Sequence, residues 1–115
     1  MDSSEKTQFA NTKPVAFIER FCSKLNMNEE LTKLCKFISL KIEQQDYMAE
    51  NAPQSTAAGA VYFVVQSCRL NISKWDIFMV SGVSEVTVNK CCKKIEKLHL
   101  KTPLLPEAII RKYCI

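Results

Sequence analysis

The stretch from Ala52 to Leu70, APQSTAAGAVYFVVQSCRL, constrains the fold more than any other. Small residues run through Ala57, Ala58, Gly59 and Ala60, and Val61, Val64, Val65 and Cys68 follow. A helix that is apolar round most of its circumference cannot face water on one side. This one is long enough for a core helix, and too short and too polar at its ends to span a bilayer. Pro53 suits the first helical position, where its missing N–H costs nothing. The small residues let neighbouring backbones approach closely. The expectation is an all-α fold with this helix at its centre; no strand alternation or hairpin signal competes.

The flanking segments supply the helices to surround it. Met1 to Thr12 reads as a polar tail. Val15, Ile18, Phe21, Cys22 and Leu25 recur at helical spacing, predicting a first helix over about Pro14 to Leu25. Asn28 is a good N-cap, with Glu29 and Glu30 in the favourable first turn of a second helix. Its buried stripe is Leu31, Leu34, Cys35, Ile38 and Ile42, and it is expected to reach Tyr47 or Met48, with Glu50 to Ala52 as the loop onward. Pro103 and Pro106 bracket a turn, and Pro106 opens a short helix through Tyr113. The expected organisation is therefore a tail (1–12), one helical repeat (13–102) and a C-terminal turn with a short helix (103–115).

With 115 residues and 47% hydrophobic content, the chain fits one ordinary domain with a real core. The polar, acidic N-terminus does not resemble a signal peptide, and no apolar run reaches membrane-spanning length. Six cysteines stand at 22, 35, 68, 91, 92 and 114, none in a C-x-x-C pair, and there is one histidine, His99. Reduced, buried thiols of an intracellular protein are the simplest reading, and neither a zinc site nor any other cofactor is expected. No Ser-His-Asp set, carboxylate pair or glycine-rich phosphate loop is present, so no enzyme is expected. His99 suits a surface or helix-end position, Trp75 a packing or rim position, and Tyr47 and Tyr113 packing.

Charge is uneven. Residues 1–51 hold 7 basic and 8 acidic side chains, whereas residues 52–115 hold 9 basic and 4 acidic. A polyanionic partner would meet the second part. There, Ser73 caps a short helix over Lys74 to Ser81, with Asp76 in a capping-box position. Trp75, Ile77, Phe78 and Val80 are expected to turn mostly inward. Gly82 suits the left-handed turn, Val83 plugs it, and Ser84 starts a longer helix to about Leu98. This is the pattern of a helix-turn-helix. The second helix would bury Val88, Cys91, Cys92, Ile95 and Leu98 and expose Val86, Asn89, Lys90, Lys93 and Lys97. An apolar contact and an amide near its N-terminus suit base edges, and lysines further along suit phosphates. Lys90, Lys93, Lys94 and Lys97 equally suit a solvated face, since many all-helical proteins carry this geometry without binding DNA.

Three segments match a known family in order and spacing. APQSTAAGAVYFVVQ resembles the Ser-Pro-Ile-Ser-Ile-Ala-Ala-Ala-Ala-Ile-Tyr segment of the second cyclin-like repeat of transcription factor IIB. FIERFCSKLNM resembles the Phe-Met-Ser-Arg-Phe-Cys-Ser-Asn-Leu segment that opens that repeat, and GVSEVTVNKCCKKI resembles its Gly-Val-x-x-Val-Thr-Ile recognition helix. Leu104-Leu105-Pro106 resembles the repeat's end, so the likeness covers roughly Val15 to Pro106.

The resemblance implies a single five-helix cyclin-like repeat wound on a central third helix. It also implies a general initiation factor of the nuclear RNA polymerase II system. Such factors bind promoter DNA upstream of the TATA element beside the TATA-binding protein, and contact RNA polymerase II through the full-length factor. The positions that match the DNA-contacting ones are Ser73 and Lys74 on the first helix of the pair, and Val86, Thr87, Asn89 and Lys93 on the second. Lys90 and Lys97 join them on the exposed face. Asn89 stands where base-reading members carry arginine, and Ala52 where the family has a serine cap. The family's zinc ribbon and first repeat have no counterpart in these 115 residues. Two other readings remain: a cyclin-like domain that binds a kinase or adaptor without touching DNA, and a dimeric helix-turn-helix regulator.

Overall fold

A computed structural model describes residues 14–45 and 51–114. The expected polar tail, the end of the second helix near Tyr47 and the loop residue Glu50 lie outside the described residues. Within them the chain forms α1 (Pro14–Lys24), α2 (Glu29–Gln44), α3 (Pro53–Ser67), α4 (Lys74–Ser81), α5 (Glu85–Lys101) and α6 (Glu107–Ile109), with a π-helical turn over Ile110–Cys114. The described residues thus hold six α-helices where five were expected. The sixth is the three-residue α6, in the segment after the repeat where a short helix from Pro106 was expected, and it buries Ile109. None of these helices is long and apolar enough to cross a membrane.

α3 is the spine. Ten successive residues, Thr56 to Val65, are buried, so the helix meets protein on every side. It packs against α1, α2, α4 and, most extensively, α5. Pro53 occupies its first turn and Ala52 caps it with no side-chain hydrogen bond. At Gly59 the backbone of α5 comes so close that a Cβ would overlap the Cys91 Cβ and stand 3.1 Å from the Cys91 carbonyl carbon. Only glycine permits that approach.

The local rules hold at most helix ends. The Asn28 side chain accepts a hydrogen bond from the Leu31 N–H at 2.8 Å, starting α2, and the stripe Leu31, Leu34, Cys35, Ile38 and Ile42 is buried. Two ends close without glycine. Asn26 (φ 59°) ends α1, where the Met27 N–H donates to Cys22 O at 3.0 Å. Arg69 (φ 56°) ends α3, where the Leu70 N–H donates to Val65 O at 2.9 Å. These six-to-one bonds are Schellman closures. The second stops α3 at Ser67, three residues before the expected Leu70.

The last residues are tied to the start of α2. Tyr113 donates its hydroxyl hydrogen to Glu30 Oε1 at 2.9 Å and accepts from Asn28 Nδ2 at 3.1 Å, and Lys112 pairs with the same Glu30 oxygen at 2.9 Å. The lysine, foremost, and the phenol hold the Glu30 carboxyl below its ordinary range, and Glu30 raises Lys112 in return. Of the six cysteines, Cys22, Cys35, Cys68, Cys91 and Cys92 are buried free thiols.

Candidate nucleic-acid interface

The helix–turn–helix segment is built from its caps. The Ser73 hydroxyl accepts from the Asp76 N–H at 3.1 Å, and Asp76 Oδ2 accepts from the Ser73 N–H at 3.0 Å, completing a capping box at the start of α4. Gly82, at φ 74°, ends α4 by donating its N–H to Phe78 O at 2.8 Å. The turn is then locked from below. The buried Ser81 hydroxyl donates to Ile77 O at 2.7 Å and accepts from the Val83 N–H at 3.1 Å. Gln54, in the first turn of α3, donates its side-chain amide to the Ser81 carbonyl. The central helix therefore holds the turn directly, a role that nothing in the sequence of Gln54 or Ser81 announced. Ser84 caps α5 by accepting from the Thr87 N–H at 3.3 Å.

α5 has the two faces expected of it, except that Asn89 is half-buried rather than exposed, and it runs three residues past Leu98 to Lys101. Val88, Cys91, Cys92, Ile95 and Leu98 are buried. Burial raises the Cys91 thiol, and burial with the nearby Glu96 carboxylate pushes Cys92 up to about 12, so both stay protonated packing groups at neutral pH. On the other face Val86 is 65% exposed, an unusual position for a valine at the start of a charged helix.

A shallow groove between the start of α4 and this face brings together Lys74, Glu85, Val86, Asn89, Lys90 and Lys93. Five of the eight residues expected at the interface thus share one surface. Ser73 and Thr87 do not line it; the Ser73 hydroxyl serves the cap of α4, and Thr87 Oγ1 accepts from the Ser84 hydroxyl at 3.0 Å. Lys97 lies exposed one turn beyond the groove. Glu85 is the residue that the residue pattern left out. Among the described residues no ion pair engages Lys74, Lys90, Lys93 or Lys97. Lys94 differs from them: it is half-buried and donates to Asn51 Oδ1 at 3.0 Å, bracing the entry to α3.

Three side chains depart from the sequence reading. Trp75 is 57% exposed rather than turned inward, and Met79 is 62% exposed. The buried pair on α4 is Ile77 and Ser81, four residues apart. Trp75 sits about 200° round the helix from Ile77 at 100° per residue, so it points outward and only leans on the Phe78 ring, with centroids 5.3 Å apart. His99 stands in the last turn of α5, as expected of a helix-end position, but it is half-buried rather than a free surface group. Its Nδ1 accepts from the Leu104 N–H at 2.9 Å and its ring meets Phe63 edge-on, so it fixes the chain after α5. Tyr113 is a polar tether as well as a packing residue.

Comparison with known proteins agrees with this architecture. The family model of the cyclin C-terminal domain matches residues 12–114. A transcription initiation factor IIB-like protein of Acanthamoeba polyphaga mimivirus is 38% identical over 79 residues, covering 69% of this chain and 17% of that protein. Transcription initiation factor IIB of Encephalitozoon cuniculi is 33% identical over 100 residues, covering 85% of this chain and 31% of that protein. The Xenopus laevis factor of the same name is 28% identical over 79 residues, covering 69% of this chain and 25% of that protein. The chain spans less than a third of the length of each of these relatives. No solved structure matches it significantly. With its small-residue spine and its helix–turn–helix, the chain belongs to the cyclin C-terminal domain family, as a C-terminal cyclin-like repeat of the transcription factor IIB type.

Proposed function

We propose that this chain is the promoter-contacting module of a general transcription initiation factor. It binds DNA upstream of the TATA element beside the TATA-binding protein, in the nucleus, and helps recruit RNA polymerase II through the full-length factor. It acts by binding, not by catalysis. Residues 13–102 form the repeat proper and residues 103–115 its closing segment. The observation that carries this reading is the groove's composition. Lys74, Lys90 and Lys93 have no carboxylate partner among the described residues, so their charge is available to phosphates. Val86 and Asn89 stand nearer the N-terminus of α5, where a helix in the major groove meets base edges. The names of the relatives support the assignment to initiation.

One observation favours a second reading, a protein-binding cyclin-like domain without DNA contact. Trp75 and Met79 form an exposed apolar pair on α4, the residue types found at the centre of protein interfaces. A gel shift of TATA-binding protein on promoter duplex, with and without this domain, separates the two. A slower-migrating ternary complex that weakens with salt supports DNA contact. No supershift at low salt removes it and leaves the protein-binding reading.

A further inference from the structure

We infer that Glu85 is a specificity-determining residue of this groove, and that it selects a base presenting an amino group, cytosine above all, while rejecting guanine. The inference rests on the DNA-binding reading proposed above. Glu85 is the one acid among the six residues of a groove otherwise lined by three lysines, an amide and a valine. It is exposed, at the first position of α5, and no lysine of the groove pairs with it among the described residues. An unpaired carboxylate beside phosphate-binding lysines opposes the DNA backbone wherever it lies. It is compatible with close approach only where the groove floor offers hydrogen-bond donors.

In the major groove cytosine offers its N4 amino group and adenine its N6 amino group, whereas guanine offers only the acceptors N7 and O6. A carboxylate accepts from the first, is compatible with the second and repels the third.

The position along the helix makes this a pattern. Glu85, Asn89 and Lys93 recur every four residues and lie on one stripe of α5. Four residues of helix rise about 6 Å, and successive bases are about 3.4 Å apart along the duplex. The side chains of Glu85 and Asn89 therefore reach bases about two steps apart. Asn89 suits adenine, and the exposed Val86 beside them suits a thymine methyl. Both polar side chains at the base-facing end favour amino-bearing edges, and Lys93, next on the stripe, comes to the phosphates.

The test is selection from a duplex library randomised upstream of a TATA element, with TATA-binding protein present, using the full chain and its Glu85→Gln, Glu85→Ala and Lys93→Glu variants. Circular-dichroism melting checks that each still folds. The expected result is a wild-type preference for cytosine over guanine at one position. Glu85→Ala reduces it by about tenfold, and Glu85→Gln turns it towards adenine, in line with the pairing preferences of these side chains. If both variants bind all duplexes more tightly by one common factor with an unchanged base profile, Glu85 acts only through its charge and the inference is overturned while DNA binding stands. If wild type selects nothing and Lys93→Glu binds as wild type does, the DNA-binding reading itself fails and takes the inference with it.

Discussion

Gly59 on α3 and Cys91 on α5 meet with no room for one further atom between them. A methyl group on Gly59 would also stand 3.2 Å from the Cys92 nitrogen, so a shift would have to move backbone, not a side-chain tip. In an unhindered helix interior Gly→Ala stabilises by about 1 kcal/mol. Here the sign should reverse. Gly59→Ala is expected to destabilise by about 1–3 kcal/mol, as overpacking of a tight core does. Cys91→Ala gives no relief, because it keeps the Cβ that makes the clash. Thermal melts of Gly59→Ala alone and with Cys91→Ala check both statements; a raised melting temperature for the single variant would refute the close approach.

The lysine face makes an ionic-strength prediction. Lys93→Glu and Lys97→Glu should each weaken assembly on a TATA-binding-protein–promoter complex, more at low salt than at high. Each lost phosphate contact lowers the slope of log affinity against log salt by about 1. Lys97 lies outside the groove that contains Lys93, so its effect is the smaller. Gel-shift titrations at several salt concentrations measure this, and full supershifts by both variants at low salt would remove this face from DNA contact.

Asn89 sets a different expectation. Asparagine suits adenine, and arginine suits the N7 and O6 of guanine. Asn89→Arg should gain about 1–3 kcal/mol of preference for a guanine-containing upstream sequence. Competition between duplexes that differ at single bases reads this out. An unchanged profile would take Asn89 out of base readout.

Ser81 tests the lock beneath the turn. Its buried hydroxyl satisfies the Val83 N–H and binds Ile77 O. Ser81→Ala leaves that buried donor without its partner, at an expected cost of about 1–3 kcal/mol. Denaturant unfolding gives the loss. Amide exchange at Val83 should rise in the same variant, and equal protection in both proteins would mean the serine is incidental.

The tether at the end of the chain gives a pH dependence of known sign. Glu30 titrates below its ordinary 4.5 in the folded protein, chiefly because Lys112 holds its charged form. Its contribution is therefore complete above the unfolded value and is lost as pH falls through the folded one. Lys112 titrates above its ordinary 10.5, chiefly through Glu30, so its contribution is present below that value and lost as pH rises through the folded one. The Tyr113 ring resonances should broaden or shift at both extremes and stay constant between. Glu30→Gln should abolish the acid transition, and a transition that persists in that variant has another origin.

Local signals made much of this molecule readable in advance. Asn28, Ser73, Ser84 and Gly82 act within four residues of themselves, so type and spacing were enough to place them. The stripes of α2 and α5 were readable because sixteen and seventeen residues give the periodicity several turns to declare itself. Eight residues in α4 do not, and Trp75 was turned the wrong way as a result. Arg69 ends α3 in a left-handed conformation that its side chain does not advertise, whereas the asparagine at 26, which tolerates that conformation, marks the break after α1. The pairs Gln54–Ser81, His99–Leu104 and Tyr113–Glu30 depend on tertiary placement, and in two of them the partners are 27 and 83 residues apart. The eight residues expected at the interface came from one exposed face and a resemblance. Neither could tell that the Ser84 hydroxyl would donate to Thr87 Oγ1, or that Glu85 would stand among the lysines.

Among its contacts with the helix–turn–helix, α3 holds two points, Gln54 at the turn and Gly59 at the middle of α5. Two fixed points define a line. The pitch at which α5 meets an approaching surface is thus set from within, by a helix whose middle never sees solvent. Two relatives could share every groove side chain and still aim them differently if position 59 gained a single carbon. Divergence in what such a module recognises is therefore to be looked for in its interior as much as on the face that recognises.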